Sequence, residues 1–131
     1  MTQKTILVDA WNTFVTPAGI NKEMFEMLEK FPNQKIILTN ANPEQQEQFG
    51  MKNLPYPLFT LNKNPSKIDP SYYQRMIEHF SLSVQEVVYF EHNEKAVASA
   101  QSVGIKTYHY DKEAKDVQAV KRFLEENLKN F

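Results

Sequence analysis

The chain contains no cysteine, which excludes disulfides, thiol catalysis and cysteine-ligated zinc and leaves the redox compartment unstated. It has no apolar run approaching the roughly 20 residues a membrane helix needs, no low-complexity tract and no internal repeat. Neither sign of charge dominates. Fifteen basic and sixteen acidic residues give a formal net charge of −1, a balance that offers no broad electrostatic footprint for nucleic acid. No linker-like stretch divides the sequence, so residues 1–131 are expected to form one domain around one continuous core. The hydrophobic fraction of 41% marks an ordered globule rather than a disordered chain. Met1 leads directly into the strand-like Thr5-Ile6-Leu7-Val8, so no signal peptide is expected, and the expectation is a soluble, cytoplasmic protein.

Strand-like and helix-like segments alternate along the whole sequence, the pattern of an α/β protein with a parallel sheet. Short, nearly unbroken apolar runs predict strands at Thr5–Val8, Lys35–Thr39, Leu58–Leu61, Val87–Phe90 and Lys106–Tyr110. Unbroken rather than alternating runs are expected where helices cover both sheet faces. Helical spacing of Met24, Phe25, Leu28 and Phe31 predicts a helix over Lys22–Phe31, stopped by Pro32. A short helix follows Pro43. Asp69-Pro70-Ser71 reads as a capped start for a helix carrying Tyr73, Met76, Ile77 and Phe80. Two more are predicted at Glu94–Val103, closed by Gly104, and near Lys115–Leu128. His79 and His109 read as surface or partly packed residues, and Tyr72-Tyr73 as helix packing.

Ligands of such sheets collect beyond the carboxyl ends of the strands. The residues there are Asp9 to Thr13, Thr39-Asn40 and Glu91-His92-Asn93, with Lys67 in the loop before the third helix. Singly each has an ordinary explanation, since Asp, Asn and Thr are common turn residues. Their collection at one predicted sheet edge is what makes them candidates for a site.

Four segments in order resemble the motifs of the haloacid dehalogenase (HAD) superfamily. An apolar strand followed by Asp-x-Asp-x-Thr is matched by Ile6-Leu7-Val8-Asp9-Ala10-Trp11-Asn12-Thr13. A strand ending in Ser or Thr, usually followed by Asn, is matched by Ile37-Leu38-Thr39-Asn40. Lys67-Ile68-Asp69-Pro70 is similar to the family's lysine motif. Val87 to Asn93, with Ala100 and Gly104-Ile105 beyond, is similar to its acidic fourth motif. The resemblance implies a three-layer, doubly wound, Rossmann-like five-stranded sheet ordered 5-4-1-2-3. It implies Asp9 as nucleophile, Lys67 as its catalytic partner, and Thr39 and Asn40 as phosphate-binding residues. About thirty residues separate Asp9 from Thr39, too few for a helical cap domain between them.

The departures from the pattern are as informative. Trp11 stands where the second motif-one Asp serves as general acid and base, and an indole can do neither. The metal ligands implied by the resemblance are Asp9, the Trp11 backbone carbonyl and Glu91, with His92 where the commonest Asp ligand would stand. Imidazole suits Mg²⁺ poorly, so Mg²⁺ binding is expected to be weak. The 2-haloacid dehalogenases lack the second Asp by design, and their Asp-Ala-Tyr-Gly-Thr is similar to Asp9-Ala10-Trp11-Asn12-Thr13. They nevertheless carry a cap, and an Asp where this chain has Ala96. A response-regulator receiver domain is rejected because it needs an acidic pair after the first strand and an Asp after the third, which here is followed by Asn62.

Two readings therefore stand. In one, this is a degraded phosphohydrolase site, weakly active or non-catalytic, that binds a small phosphorylated molecule or a protein partner. In the other, it is a working hydrolase, a phosphatase that passes through an aspartyl intermediate on Asp9 with a divergent metal site. Without a cap the site lies open to a macromolecule or to cover by a second copy in a homodimer.

Overall fold

A computed structural model of the chain describes residues 3–128. Five parallel strands form the central sheet: β1 (Thr5–Asp9), β4 (Lys35–Thr39), β5 (Leu58–Thr60), β6 (Val87–Glu91) and β7 (Lys106–His109). Their order is β5-β4-β1-β6-β7, which is the predicted one with β1 central. A short antiparallel hairpin, β2 (Val15–Thr16) and β3 (Gly19–Ile20), lies between β1 and the first helix. Two-residue strands carry no usable periodicity, and this hairpin was not foreseen.

Alternation of side chains along each strand divides the core in two. Ile6, Val8, Ile37, Val88 and Phe90 face α1 (Lys22–Leu28) and α5 (Val117–Asn127), packing on Met24, Leu28, Val120 and Leu124. Leu7, Ile36, Leu38, Val87 and Tyr89 face the other way, onto Tyr72, Tyr73 and Met76 of α3 (Pro70–His79) and Ala100 of α4 (Glu94–Ser102). Every residue of β1, β4 and β6 is buried, as expected for a sheet covered on both faces.

Each helix starts on an Asn or Asp cap, which satisfies otherwise orphaned N–H groups. Asn21 accepts from Met24, Asp69 from Ser71, Asn93 from Lys95 and Ala96, and Asp116 from Ala119. The short α2 (Pro43–Gln48) carries a reciprocal capping box between Asn42 and Gln45. The first helix ends at Leu28, one turn before Phe31, which packs half-buried through a turn instead. Among the described residues no helix is long and apolar enough to cross a membrane.

Gly104 follows α4 with a φ of +93°, the left-handed stop its position suggested. A Cβ there would meet Val84 Cγ2 at 3.5 Å, an ordinary contact, so its cost is backbone strain rather than a clash. Gly104→Ala is expected to lower unfolding stability by about 1–2 kcal/mol, measurable by urea denaturation. An unchanged midpoint would show that the turn relaxes freely.

Candidate functional site

Strand register assembles the site. Leu7 pairs with Tyr89 and Val8 with Phe90, so Asp9 and Glu91 end adjacent strands on the same face as Leu7 and Tyr89. Asp9 also sits opposite Leu38 of β4. Asp9 and Glu91 are 1% and 0% exposed, so two carboxylates are buried side by side. Burying charge without compensation is costly. The compensation comes from Lys67, which arrives from the loop before α3 on that same face.

The Lys67 ammonium lies 2.6 Å from Asp9 Oδ1 and 2.7 Å from Glu91 Oε1, and donates a third bond to the Leu38 carbonyl at 3.2 Å. All three protons of an ammonium are thus matched. The backbone is fixed too, because the Lys67 N–H donates to Asn40 Oδ1 at 2.9 Å while Asn40 Nδ2 reaches Ser66 Oγ. Asp9 Oδ2 accepts from Thr13 Oγ1 at 2.7 Å and from the His92 backbone N–H at 3.1 Å. The His92 ring Nδ1 lies 2.5 Å from the same oxygen and 3.3 Å from Glu91 Oε2. Glu91 is held further by the Tyr89 hydroxyl and by the Asn93 N–H at 3.0 Å.

The tight loop after β1 explains Thr13. Bonds from the N–H groups of Thr13, Phe14 and Val15 back to the Ala10 carbonyl fold the chain over, with Asn12 left-handed at φ 66°. The Thr13 hydroxyl then returns to Asp9. Burial pushes the Asp9 carboxyl up, but Lys67 and the hydrogen bond from His92 outweigh it and hold the group well below the ordinary carboxylate range. Burial likewise opposes the charge on Lys67, and Asp9 with Glu91 overcome it, raising the ammonium well above its usual value. For His92, desolvation is outweighed by its bonds to Asp9 and then Glu91, which lift the ring from 6.5 to about 9.

Asp9, Lys67, Glu91 and His92 therefore meet in one cluster. Thr39 and Asn40 line the same pocket, a cavity of about 310 Å³ beyond the sheet edge. Their polar atoms are engaged within the protein, however. The Thr39 hydroxyl contacts Met51 Sδ at 3.7 Å and accepts from the Ala41 N–H, while the Tyr72 hydroxyl binds the Thr39 carbonyl. Trp11 is half-buried on the pocket wall, its ring 4.6 Å from that of Phe49, and its backbone bridges to Val15. Tyr89, Phe49, Met51 and Lys63 escaped sequence reasoning. Tyr89 alone left a signal, two residues before Glu91 and so on its face of the sheet.

No family model matches the chain, and no curated protein matches it. Solved structures do. An Asp-to-Ala mutant of a HAD family enzyme from Bacteroides thetaiotaomicron, solved with magnesium and inorganic phosphate, superposes with a TM-score of 0.69 at 14% identity, covering 84% of this chain and 95% of its own. The core domain of a candidate phosphoglycolate phosphatase from Streptococcus pneumoniae gives 0.62 at 15%, covering 95% and 97%. L-2-haloacid dehalogenase from Xanthobacter autotrophicus, with chloropropionic acid covalently bound, gives 0.52 at 15%, covering 83% of this chain but 50% of its own. The likeness is one of fold, and the chain has the HAD-like fold.

Removing Lys67 leaves two buried carboxylates facing each other. Lys67→Met is expected to cost about 3–5 kcal/mol of stability, and adding Asp9→Asn with Glu91→Gln should restore part of it. A neutral single substitution would mean that the carboxylates find water. The His92 ring titrates higher folded than unfolded, so its stabilisation is complete below pH 6.5 and is lost as pH rises to about 9. The Asp9 contribution has the opposite sense, present above 3.8 and lost as pH falls. The stability gap between wild type and His92→Gln should therefore shrink from pH 6.5 to 9. A constant gap in denaturant titrations across that range would refute the ion pair.

Proposed function

We propose that this HAD-like domain carries a degraded phosphohydrolase site, weakly active or non-catalytic, kept for binding a ligand. The observation that carries the reading is the His92 ring nitrogen 2.5 Å from Asp9 Oδ2. That oxygen accepts three donors, the Thr13 hydroxyl and the His92 N–H and ring. Its partner oxygen lies under the Lys67 ammonium. A carboxylate so engaged is a poor nucleophile, and no lone pair of Oδ2 is left for a metal.

The donor set supports the same reading. Asp9, Glu91 and His92 each offer one ligand atom within 4.8 Å of the others, so a cation site of three donors is conceivable in outline. Mg²⁺ asks for oxygen ligands in near-octahedral array. Here one of three donors is nitrogen, and both carboxylates are already bonded to N–H or O–H groups. The set does not fit Mg²⁺ as it stands. Trp11, packed on Phe49, supplies no proton to a leaving alkoxide.

Wild-type protein is expected to hydrolyse alkyl phosphates barely above background with millimolar Mg²⁺. Trp11→Asp combined with His92→Asp replaces the missing acid and opens the metal position. General acid–base help is worth about 10²–10⁴-fold, so the double variant should gain at least the lower end of that range. Phosphate release by wild type at ordinary enzymic rates, slowed by the double substitution, would establish the alternative of a working phosphatase using Asp9.

A further inference from the structure

The pocket floor contains four ionisable groups, and their sum constrains what binds. Asp9 and Glu91 bring two negative charges and Lys67 one positive. With the His92 ring charged the sum is zero; with it neutral the sum is −1. Neither state gives a positive floor. A phosphate monoester near neutral pH carries between one and two negative charges, its second pKa being about 6. The polar groups that would hold its oxygens are committed elsewhere, Thr39 to Met51 and Ala41, Asn40 to Lys67 and Ser66. At this floor a dianion meets no net positive charge, and the Thr39 hydroxyl is already engaged.

The walls have another character. The Trp11 and Phe49 rings stand 4.6 Å apart, inclined by 38°, and Met51, Ile68 and Ala96 continue the apolar lining. Ile68 is 50% exposed, one of two exposed large hydrophobic residues among the described residues. The volume of about 310 Å³ suits a one-ring molecule, at the lower end of the range for small-molecule sites. One more cation lines the pocket. Lys63 is exposed and forms no ion pair among the described residues, so it is left to meet a single negative charge.

We propose that the pocket binds, without a metal, a small molecule with an aromatic body and one negative charge, such as an aryl carboxylate. The body packs on Trp11 and Phe49 and the charge faces Lys63. This rests on the reading that Asp9 turns over phosphate esters poorly or not at all, and names the ligand class of that site.

Trp11 is the only tryptophan, so its fluorescence reports occupancy directly. Full-length protein is titrated with 3-phenylpropionate, 3-phenylpropanol and phenyl phosphate, each with MgCl₂ and with EDTA, and binding is repeated by calorimetry. Phenylpropionate should bind saturably at millimolar concentration, alike with MgCl₂ and EDTA, and about tenfold tighter than phenyl phosphate, because like charge at the floor is penalised. Lys63→Ala should weaken phenylpropionate and leave phenylpropanol unchanged. Tighter binding of phenyl phosphate, a requirement for Mg²⁺, equal affinities in Lys63→Ala, or no saturable response to phenylpropionate would each overturn the ligand class. Hydrolysis of phenyl phosphate to phenol at enzymic rates would instead overturn the reading beneath it, so the two failures are told apart by whether product appears.

Discussion

The buried Lys67 ammonium is the contact on which the site depends. Two carboxylates at the ends of neighbouring strands cannot be sealed from water together unless a cation is sealed with them. Lys67 is 7% exposed and touches Asp9, Glu91 and the Leu38 carbonyl, so it ties β1, β4 and β6 at one point. The tie works only if the loop before α3 delivers the lysine at the right height. Asn40 secures that, gripping the Lys67 N–H and Ser66 at once. Apolar residues of similar volume would stabilise the fold as well or better. The charges are a specific arrangement at the carboxyl edge of the sheet, rather than a requirement of the core.

The fold was largely legible in the sequence because its signals are redundant. The three central strands β4, β1 and β6 are fully buried runs, each α-helix has an Asn or Asp cap, and Gly104 closes α4 with the conformation only glycine adopts cheaply. The β2–β3 hairpin was invisible because its pairing is held by local backbone geometry around Asn12 and Gly19 rather than by any pattern of side chains. Of the site, the residues that end strands were legible, since topology alone brings Asp9, Thr39 and Glu91 to one edge. Their bonding was not. Nothing in the sequence tells that Asn40 turns to the Lys67 backbone, that the Thr39 hydroxyl is spent on Met51, or that Tyr89 reaches Glu91. Phe49, Met51 and Lys63 come from loops between elements, and a residue's membership in a pocket wall is a tertiary fact with no local signature.

The two departures from the family pattern read as one change when charge is counted. A carboxylate in place of Trp11 would add a third negative charge beside Asp9 and Glu91, with Lys67 alone against them. Such a floor would carry a net charge of −2, favouring a bound cation or a protonated carboxyl. An indole at that position removes the extra charge, and an imidazole at position 92 places a donor between Asp9 Oδ2 and Glu91 Oε2, closing the remaining gap. Without the His92 ring charge the floor would carry a net −1 even beside the neutral Trp11. The HAD-like arrangement of strands thus carries a floor whose two carboxylates are each bonded to Lys67 and lie within reach of the His92 ring. Above that floor the Trp11 and Phe49 rings, 4.6 Å apart, form an uncharged aromatic wall, so charge and apolar surface are separated within one cavity.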